Sequence, residues 1–497
     1  MSKSAQVFLG THRVIGEISP LLFGGFAEHL GRCVYEGIYD PASVHADSQG
    51  LRTDVLAALR EINYRIIRYP GGNFVSRYNW LDGVGSKEKR PRVRELAWKS
   101  IETNRFGTNE FIDFCRVIGS EPMLAVNLGT GTIENAAHLV EYCNSPIGTI
   151  FSDLRAEHGY AEPHNVRYWC LGNEMDGSWQ IGQLEAKEYS LKAIEAAKLM
   201  RILDPSIELI VCGSSSSVMP SFPEWDRIVL ENTWEKINYL SMHYYAENKP
   251  LDTPSFLAMS AQFEGQVDTL AATLRFVKAK LRSSHDVYLS WDEWNVWYRD
   301  TSPDGQWQQA PHLLEEVYNL EDALVVAQWL SVFLRKCDIL KIACIAQIVN
   351  AIAPILTNNN ALLKQTIYYP LMQFSRYASG VSLQLQVNAP KYQTTRFGEM
   401  PLLDASSSFD QNLATGAIFL VNRSLEESLE TETVFQDQIP REVTAVWQMS
   451  GNDPKTCNSF ENPDAIVPIA VTGISLNGGA IRVNLPALSF TTIVLSY

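Results

Sequence analysis

The sequence predicts a (β/α)8 barrel followed by an antiparallel β-sandwich, and three observations carry that expectation. Between about Leu21 and Asn350 a short apolar, β-rich run, a polar or glycine-bearing exit and a longer segment with helical spacing recur eight times. After about Ser379 the helical spacing disappears and apolar and polar residues alternate, as in a half-buried sheet. The opening stretch AQVFLGTHRVIGEI (5 to 18) has the same alternation and comes too early to be a barrel strand, so it is expected to join the sandwich as a strand.

The eight runs are LLFGGFA (21 to 27), YRIIRYP (64 to 70), PMLAVNL (122 to 128), VRYWCLG (166 to 172), ELIVCGS (208 to 214), INYLSMHYY (237 to 245), VYLSWDE (287 to 293) and IACIAQIVN (342 to 350). Between them, DVLAALREI (54 to 62), TNEFIDFCRVIG (108 to 119) and AKEYSLKAIEAAKLMRIL (186 to 203) repeat apolar residues at three and four and read as helices. A span of this size suits a barrel with loop insertions. A doubly wound open sheet is the alternative, and it lacks the GxGxxG or GxxxxGK[ST] fingerprint that would follow its first strand. The sandwich strands are read at VSLQLQV (381 to 387), GAIFLVN (416 to 422), EVTAVWQM (442 to 449), AIRVNLP (480 to 486) and SFTTIVLSY (489 to 497). The expected division is residues 19–379 for the barrel and 1–18 plus 380–497 for the sandwich.

Composition narrows the function. The 497 residues are 46% hydrophobic and 20% charged, enough for a large core and a smaller one. A formal charge of -15, with no basic run longer than Lys87 to Arg94, argues against a nucleic-acid partner. No segment offers the ~20 uninterrupted apolar residues of a membrane span, and the opening residues lack a signal-peptide core, so a cytoplasmic protein without membrane contact is expected. The eight cysteines are scattered without CxxC spacing and read as reduced thiols. Asn422-Arg423-Ser424 matches a glycosylation signal that has no consequence in that compartment.

In such a barrel the active site lies at the C-terminal ends of the strands. Collected in order, the run ends supply Phe26 and Glu28, Arg68 and Asn73, Asn127, Asn173 and Glu174, Ser214 and Ser215, His243 with Tyr244 and Tyr245, Glu293 with Trp294 and Asn295, and Gln347 with Asn350. Glu174 and Glu293 stand on the fourth and seventh runs, whose ends face each other obliquely across the mouth. Taken singly, either glutamate suits a helix start or an ion pair; together they form the carboxylate pair a retaining glycosidase needs, one to protonate the leaving oxygen and one to attack. Trp98, Trp179, Trp294 and Trp297 fall in or beside the same loops, where indole faces can pack on sugar rings. Glu28 could pair with Arg32 or Arg68, and Arg68 suits a structural cation as well as a functional one. His243 reads as a hydrogen-bonding residue. No HExxH or paired histidine spacing is present, so neither a metal nor a cofactor is expected.

The stretches GGFAEHLGRCVYEGIYDP (24 to 41), RYPGGNFVSRYNWLDGVG (68 to 85), LAWKSIETNRFGTNEF (96 to 111), NLGTG (127 to 131), WCLGNEMDGSWQIG (169 to 182), MHYY (242 to 245), WDEWNVWY (291 to 298) and CIAQIVNAIAPI (344 to 355) resemble the α-L-arabinofuranosidases of glycoside hydrolase family 51. The resemblance implies a retaining exo-enzyme that releases terminal α-L-arabinofuranosyl groups from arabino- and arabinoxylo-oligosaccharides, with Glu174 as acid/base and Glu293 as nucleophile. It further implies that Asn173 binds the sugar 2-hydroxyl, that Glu28, Asn73 and Gln347 anchor hydroxyls, and that Trp98, Trp179 and Trp297 wall the pocket, beside Phe26. Arg68 and Tyr245 resemble the groups that keep the nucleophile ionised and oriented, with His243 in support. The family commonly assembles as hexamers, so a homo-oligomer is expected. Gly25 and Ser178 depart from the commoner residues of the family, which suggests an altered pocket shape or loop stiffness. Two other readings keep the barrel: a pyranosidase acting on a β-xyloside or β-glucan, and a carbohydrate-binding protein without turnover.

Overall fold

A computed structural model describes residues 3–298 and 304–497. Met1 and Ser2 of the expected sandwich segment 1–18, and residues 299–303 of the expected barrel, lie outside these described residues. Each of the eight predicted runs overlaps a barrel strand: Gly24–Phe26, Ile66–Tyr69, Glu121–Val126, Tyr168–Leu171, Glu208–Val211, Tyr239–Ala246, Tyr288–Val296 and Leu340–Ala346. They pair in parallel and close, with Cys344 of the eighth strand beside Gly24 of the first. The strands are apolar throughout because a parallel barrel buries both faces, one against its own interior and one against helices.

The three helices read from spacing form at Thr53–Ile62, Thr108–Ile118 and Ala186–Leu203. Leu320–Arg335 differs from an ordinary surface helix in that every residue from Leu320 to Leu334 is buried. It is apolar nearly all round because the sandwich covers the face that solvent would otherwise wet. The joint also carries polar contacts, among them Asp404 of the sandwich, which accepts from Arg335 at 2.9 Å and from Arg423. Both arginines therefore neutralise one buried carboxylate.

The sandwich corrects the N-terminal expectation. Residues 5–18 form two strands, Lys3–Leu9 and Val14–Glu17, separated by a turn in which Arg13 N–H donates to Gly10 O at 3.1 Å. The first enters a five-stranded sheet, parallel to Leu429–Phe435, and the second edges a seven-stranded sheet. VSLQLQV is likewise split, with Val381–Leu383 in one sheet and Gln386–Asn388 in the other. Two central strands escape the alternation rule. Leu403–Asp410 is serine-rich yet buried on both faces, with Ser406 Oγ donating to Ser331 on the covering helix at 3.0 Å. Leu429–Phe435 points Thr431 and Thr433 inward, so its buried face carries hydroxyls. Asn422 is buried and donates to the carbonyls of Glu427, Leu485 and Pro486, which occupies the side chain of the apparent glycosylation signal. All eight cysteines are unpaired and seven are buried.

Candidate active site

The site is built on a buried arginine. Arg68, at the end of the second barrel strand, is 1% exposed; its guanidinium donates to two side chains and lies against a third, Asp292, as an ion pair. Nη1 donates to Glu293 Oε2 at 2.8 Å, Nη2 donates to Asn173 Oδ1 at 2.6 Å, and Nε lies 3.3 Å from Asp292 Oδ2. A buried cation of this kind is tolerated only when its charge is matched and its donors are used. Phe26 supports it from below, with the guanidinium 4.6 Å from the ring centroid.

Glu293 and Glu174 meet across the floor. Tyr245 donates its hydroxyl to Glu293 Oε1 at 2.8 Å, so each Glu293 oxygen accepts one bond. Glu174 adopts a left-handed backbone, φ 43°, just past the fourth strand, and this conformation is uncommon for a residue with a Cβ. Its Oε2 accepts from Trp179 Nε1 at 2.6 Å, and its Oε1 lies 3.0 Å from His243 Nδ1. Oxygens of both glutamates and a ring nitrogen of His243 all lie within 4.8 Å of one another. This is the trio of described residues spaced to grip a cation, but its atoms are already joined among themselves and to Arg68, Tyr245 and Trp179.

Charge is distributed unevenly among these groups. Burial pushes the Glu293 carboxyl above its ordinary range and Glu174 adds to that, while His243, Arg68 and Tyr245 pull it back. His243 is held up at about 10: burial opposes its charge, and Glu293, Asp292 and Glu174 outweigh the burial. Burial also works against Asp292, yet Arg68, His243 and Ser241 hold it down at about 2. Glu28 is pushed up to about 7, chiefly by burial and then by Glu293.

Above this floor opens a cavity of about 460 Å³. Glu28 stands on one side, accepting from Phe74 N–H at 3.0 Å, Trp98 Nε1 at 3.1 Å and Gln347 Nε2 at 2.9 Å. Asn73, Trp98 and Gln347 line that side; Trp179, Ser215, Tyr245 and Trp297 line the other. Clefts of about 720 and 490 Å³ lie elsewhere, at the joint between the domains and on the sandwich.

Comparison with known proteins agrees with this geometry. The family model described as the α-L-arabinofuranosidase 1 domain matches residues 58–268, and that of the α-L-arabinofuranosidase C-terminal domain matches 292–489. An intracellular exo-α-(1→5)-L-arabinofuranosidase of Halalkalibacterium halodurans is 43% identical over 100% of this chain and 99% of its own. A family 51 α-L-arabinofuranosidase from Bifidobacterium longum superimposes with a TM-score of 0.96 at 34% identity, covering 100% of both chains. The chain belongs to the family 51 α-L-arabinofuranosidases. A relative from Acetivibrio thermocellus, also named an intracellular exo-α-(1→5)-L-arabinofuranosidase, is 46% identical over 86% of each chain. The arabinose complex of the Thermotoga maritima α-L-arabinofuranosidase matches at TM-score 0.90 and 32% identity, covering 99% of this chain and 100% of that one.

Within this family 51 fold the polar strand ends separate into two groups. Glu28, Asn73, Glu174, Tyr245, Glu293 and Gln347 reach the cavity together with Trp98, Trp179 and Trp297. Arg68, Asn173, His243 and Phe26 lie beneath it; Asn173 is 1% exposed and links Arg68 to Gln180. The remaining run ends are structural. Asn127 Oδ1 accepts from Thr130 and Gly131 N–H, Asn295 donates to Ala346 and Ile352 carbonyls, Asn350 donates to Arg32 O, and Ser214 is bound by Asp226. Tyr244 and Trp294 turn outward onto the helix bearing Trp329, so Trp294 is not a sugar platform. Arg32 pairs with Glu315, and among the described residues Glu28 forms no ion pair with an arginine. A Cβ on Gly25 would lie 2.3 Å from Ile348 Cγ2, so this departure answers to packing against Ile348 and not to the pocket.

Sequence reasoning missed Asp292. Strand seven slips register between Trp291 and Trp294 against the eighth strand, and strand six slips between Ser241 and His243 against the seventh. Bulges of this kind re-aim side chains. The signal was present as WDEW, since two outward tryptophans three apart leave two consecutive inward residues.

Proposed function

We propose that this enzyme is a retaining exo-α-L-arabinofuranosidase acting by double displacement on short arabinosyl oligosaccharides. The observation that carries the proposal is the closeness of Glu174 and Glu293, oxygens within 4.8 Å, with Glu293 held by Arg68 and Tyr245. Retaining enzymes separate their carboxyls by about 5–5.5 Å, whereas inverting ones leave about 6.5–9.5 Å for a water.

A Glu293 oxygen forms a bond to the anomeric carbon as the bond from that carbon to the leaving oxygen breaks. Glu174 delivers its proton to that oxygen. Glu174, now a carboxylate, takes a proton from water; the water oxygen attacks the anomeric carbon and the ester bond to Glu293 breaks. Arg68 and Tyr245 favour attack by Glu293 because both donate to its charged form. Glu28, Asn73 and Gln347 supply polar groups for the furanose hydroxyls, and the exo-enzyme names of the relatives favour a terminal residue. Trp179 and Trp297 offer surfaces for the leaving group. The printed names of the relatives from Halalkalibacterium halodurans and Acetivibrio thermocellus support α-1,5-linked substrates and an intracellular location.

The test is cleavage of 4-nitrophenyl α-L-arabinofuranoside in methanol-water, with NMR of the first-formed product. Methyl α-L-arabinofuranoside is expected. The β-anomer would overturn double displacement, and activity confined to a β-xyloside would overturn the substrate.

A further inference from the structure

Behind the sugar pocket lies a buried carboxylate that the reaction does not use. Glu95 ends the strand Val93–Glu95, which pairs with Ser100–Glu102 to form a short hairpin projecting toward the cavity. It is 5% exposed, and no cation among the described residues forms an ion pair with it. A charge in such a place is costly unless hydrogen bonds satisfy it. Two backbone donors offset part of that cost: Ala97 N–H reaches Oε1 at 2.6 Å and Trp98 N–H reaches Oε2 at 2.7 Å.

The hairpin does not need these bonds to close. Its strands are paired from Val93 with Glu102 to Glu95 with Ser100, and Ile101 N–H is fastened to Gln308 O at 2.8 Å. What the carboxylate fixes is the tip, residues 96–99. Ala97 and Trp98 form cavity wall there, and the Trp98 indole donates to Glu28. The tip is also tied to residues 305–307, with Gly305 N–H donating to Trp98 O at 2.9 Å and Trp307 N–H to Lys99 O at 2.7 Å, so these bonds hold its carbonyls while Glu95 holds its Ala97 and Trp98 N–H groups.

We infer that Glu95 is a positioning residue for the sugar pocket, acting through Trp98 to aim the indole N–H at Glu28. This rests on the proposed function only in taking Glu28 as a hydroxyl anchor. Glutamine at position 95 keeps the shape but offers an NH2 where one backbone N–H needs an acceptor, leaving a buried donor unmatched.

The experiment is a double-mutant cycle of Glu95→Gln and Trp98→Phe, read on 4-nitrophenyl α-L-arabinofuranoside. Glu95→Gln is expected to raise KM about tenfold with kcat within about twofold, and to add less than about twofold to the Trp98→Phe enzyme. An equal loss in both backgrounds, or none in the wild type, overturns the inference. A second readout does not depend on turnover: in protein labelled with 5-fluorotryptophan, Trp98→Phe identifies the Trp98 ¹⁹F signal, which Glu95→Gln should shift. An unmoved signal also overturns it. Should the wild type leave the glycoside intact, the function fails and the ¹⁹F signal still decides the role of Glu95. If Glu95→Gln does not fold, Glu95→Asp, too short to span both donors, takes its place with the same outcomes.

Discussion

Asp292 and Glu293 are consecutive in the chain, yet both carboxylates face into the barrel and share the guanidinium of Arg68. Their different environments divide the work. Asp292 touches Arg68, Ser241 and Cys170 and is sealed from the cavity, whereas Glu293 borders it. When Glu293 loses its charge in a glycosyl ester, Arg68 therefore still faces an ionised partner.

Asp292→Asn should cost stability as well as activity, because it leaves a buried cation with one partner fewer. A loss of about 3–5 kcal/mol in urea unfolding is expected. The sign with pH follows from a carboxyl held below its ordinary value: its contribution is present above about pH 3.9 and is lost as pH falls toward about 2. The variant should accordingly show a shallower acid decline than the wild type, and parallel curves would count against the assignment.

His243 gives the opposite dependence. Its proton is held up to about 10, so its contribution is complete below about pH 6.5 and disappears as pH rises through about 10. Thermal unfolding at fixed ionic strength should show the wild type losing more between pH 7 and 10 than His243→Gln does. A wild-type midpoint no more sensitive than the variant's would refute this.

Glu293→Ala should abolish turnover of every glycoside. Glu174→Ala should spare activated aryl glycosides relative to substrates with poor leaving groups, by about 10²–10³, and azide should restore part of the activity as a glycosyl azide. Equal losses on both substrates would remove Glu174 from the acid role.

Gly72 touches the centre of the site without a side chain. A Cβ there would lie 3.3 Å from Glu293 Oε2, 3.4 Å from Asn173 Nδ2 and 3.4 Å from Glu28 Oε2. Gly72→Ala is expected to lower kcat/KM by about 10–10²-fold, since small displacements of reacting groups are costly. Steady-state kinetics beside an unfolding curve would check this; wild-type kinetics would show that the three groups yield freely.

The barrel was legible because each strand is a continuous apolar run with a polar exit, a pattern that survives insertions of any length. Glu174, Glu293 and the cavity tryptophans followed from those exits and from the family motifs. Strict alternation hid the rest. It could not reveal that strand seven breaks step to turn Asp292 inward, nor that Leu403–Asp410 is buried while rich in serine. Nor could it find Glu95, whose importance depends on a hairpin tip that only the folded chain brings against Glu28.

The sandwich takes strands from both ends of the chain, with Lys3 beside Leu429 and Val14 beside Leu383. During synthesis these two strands must therefore wait, unpaired, until more than three hundred later residues have left the ribosome. The barrel closes earlier, once Leu340–Ala346 can pair with Gly24–Phe26, so it can assemble while the opening strands are still without neighbours. A ribosome stalled before residue 381 would carry a barrel with two unpaired strands at its head, a species open to pairing with a second nascent chain.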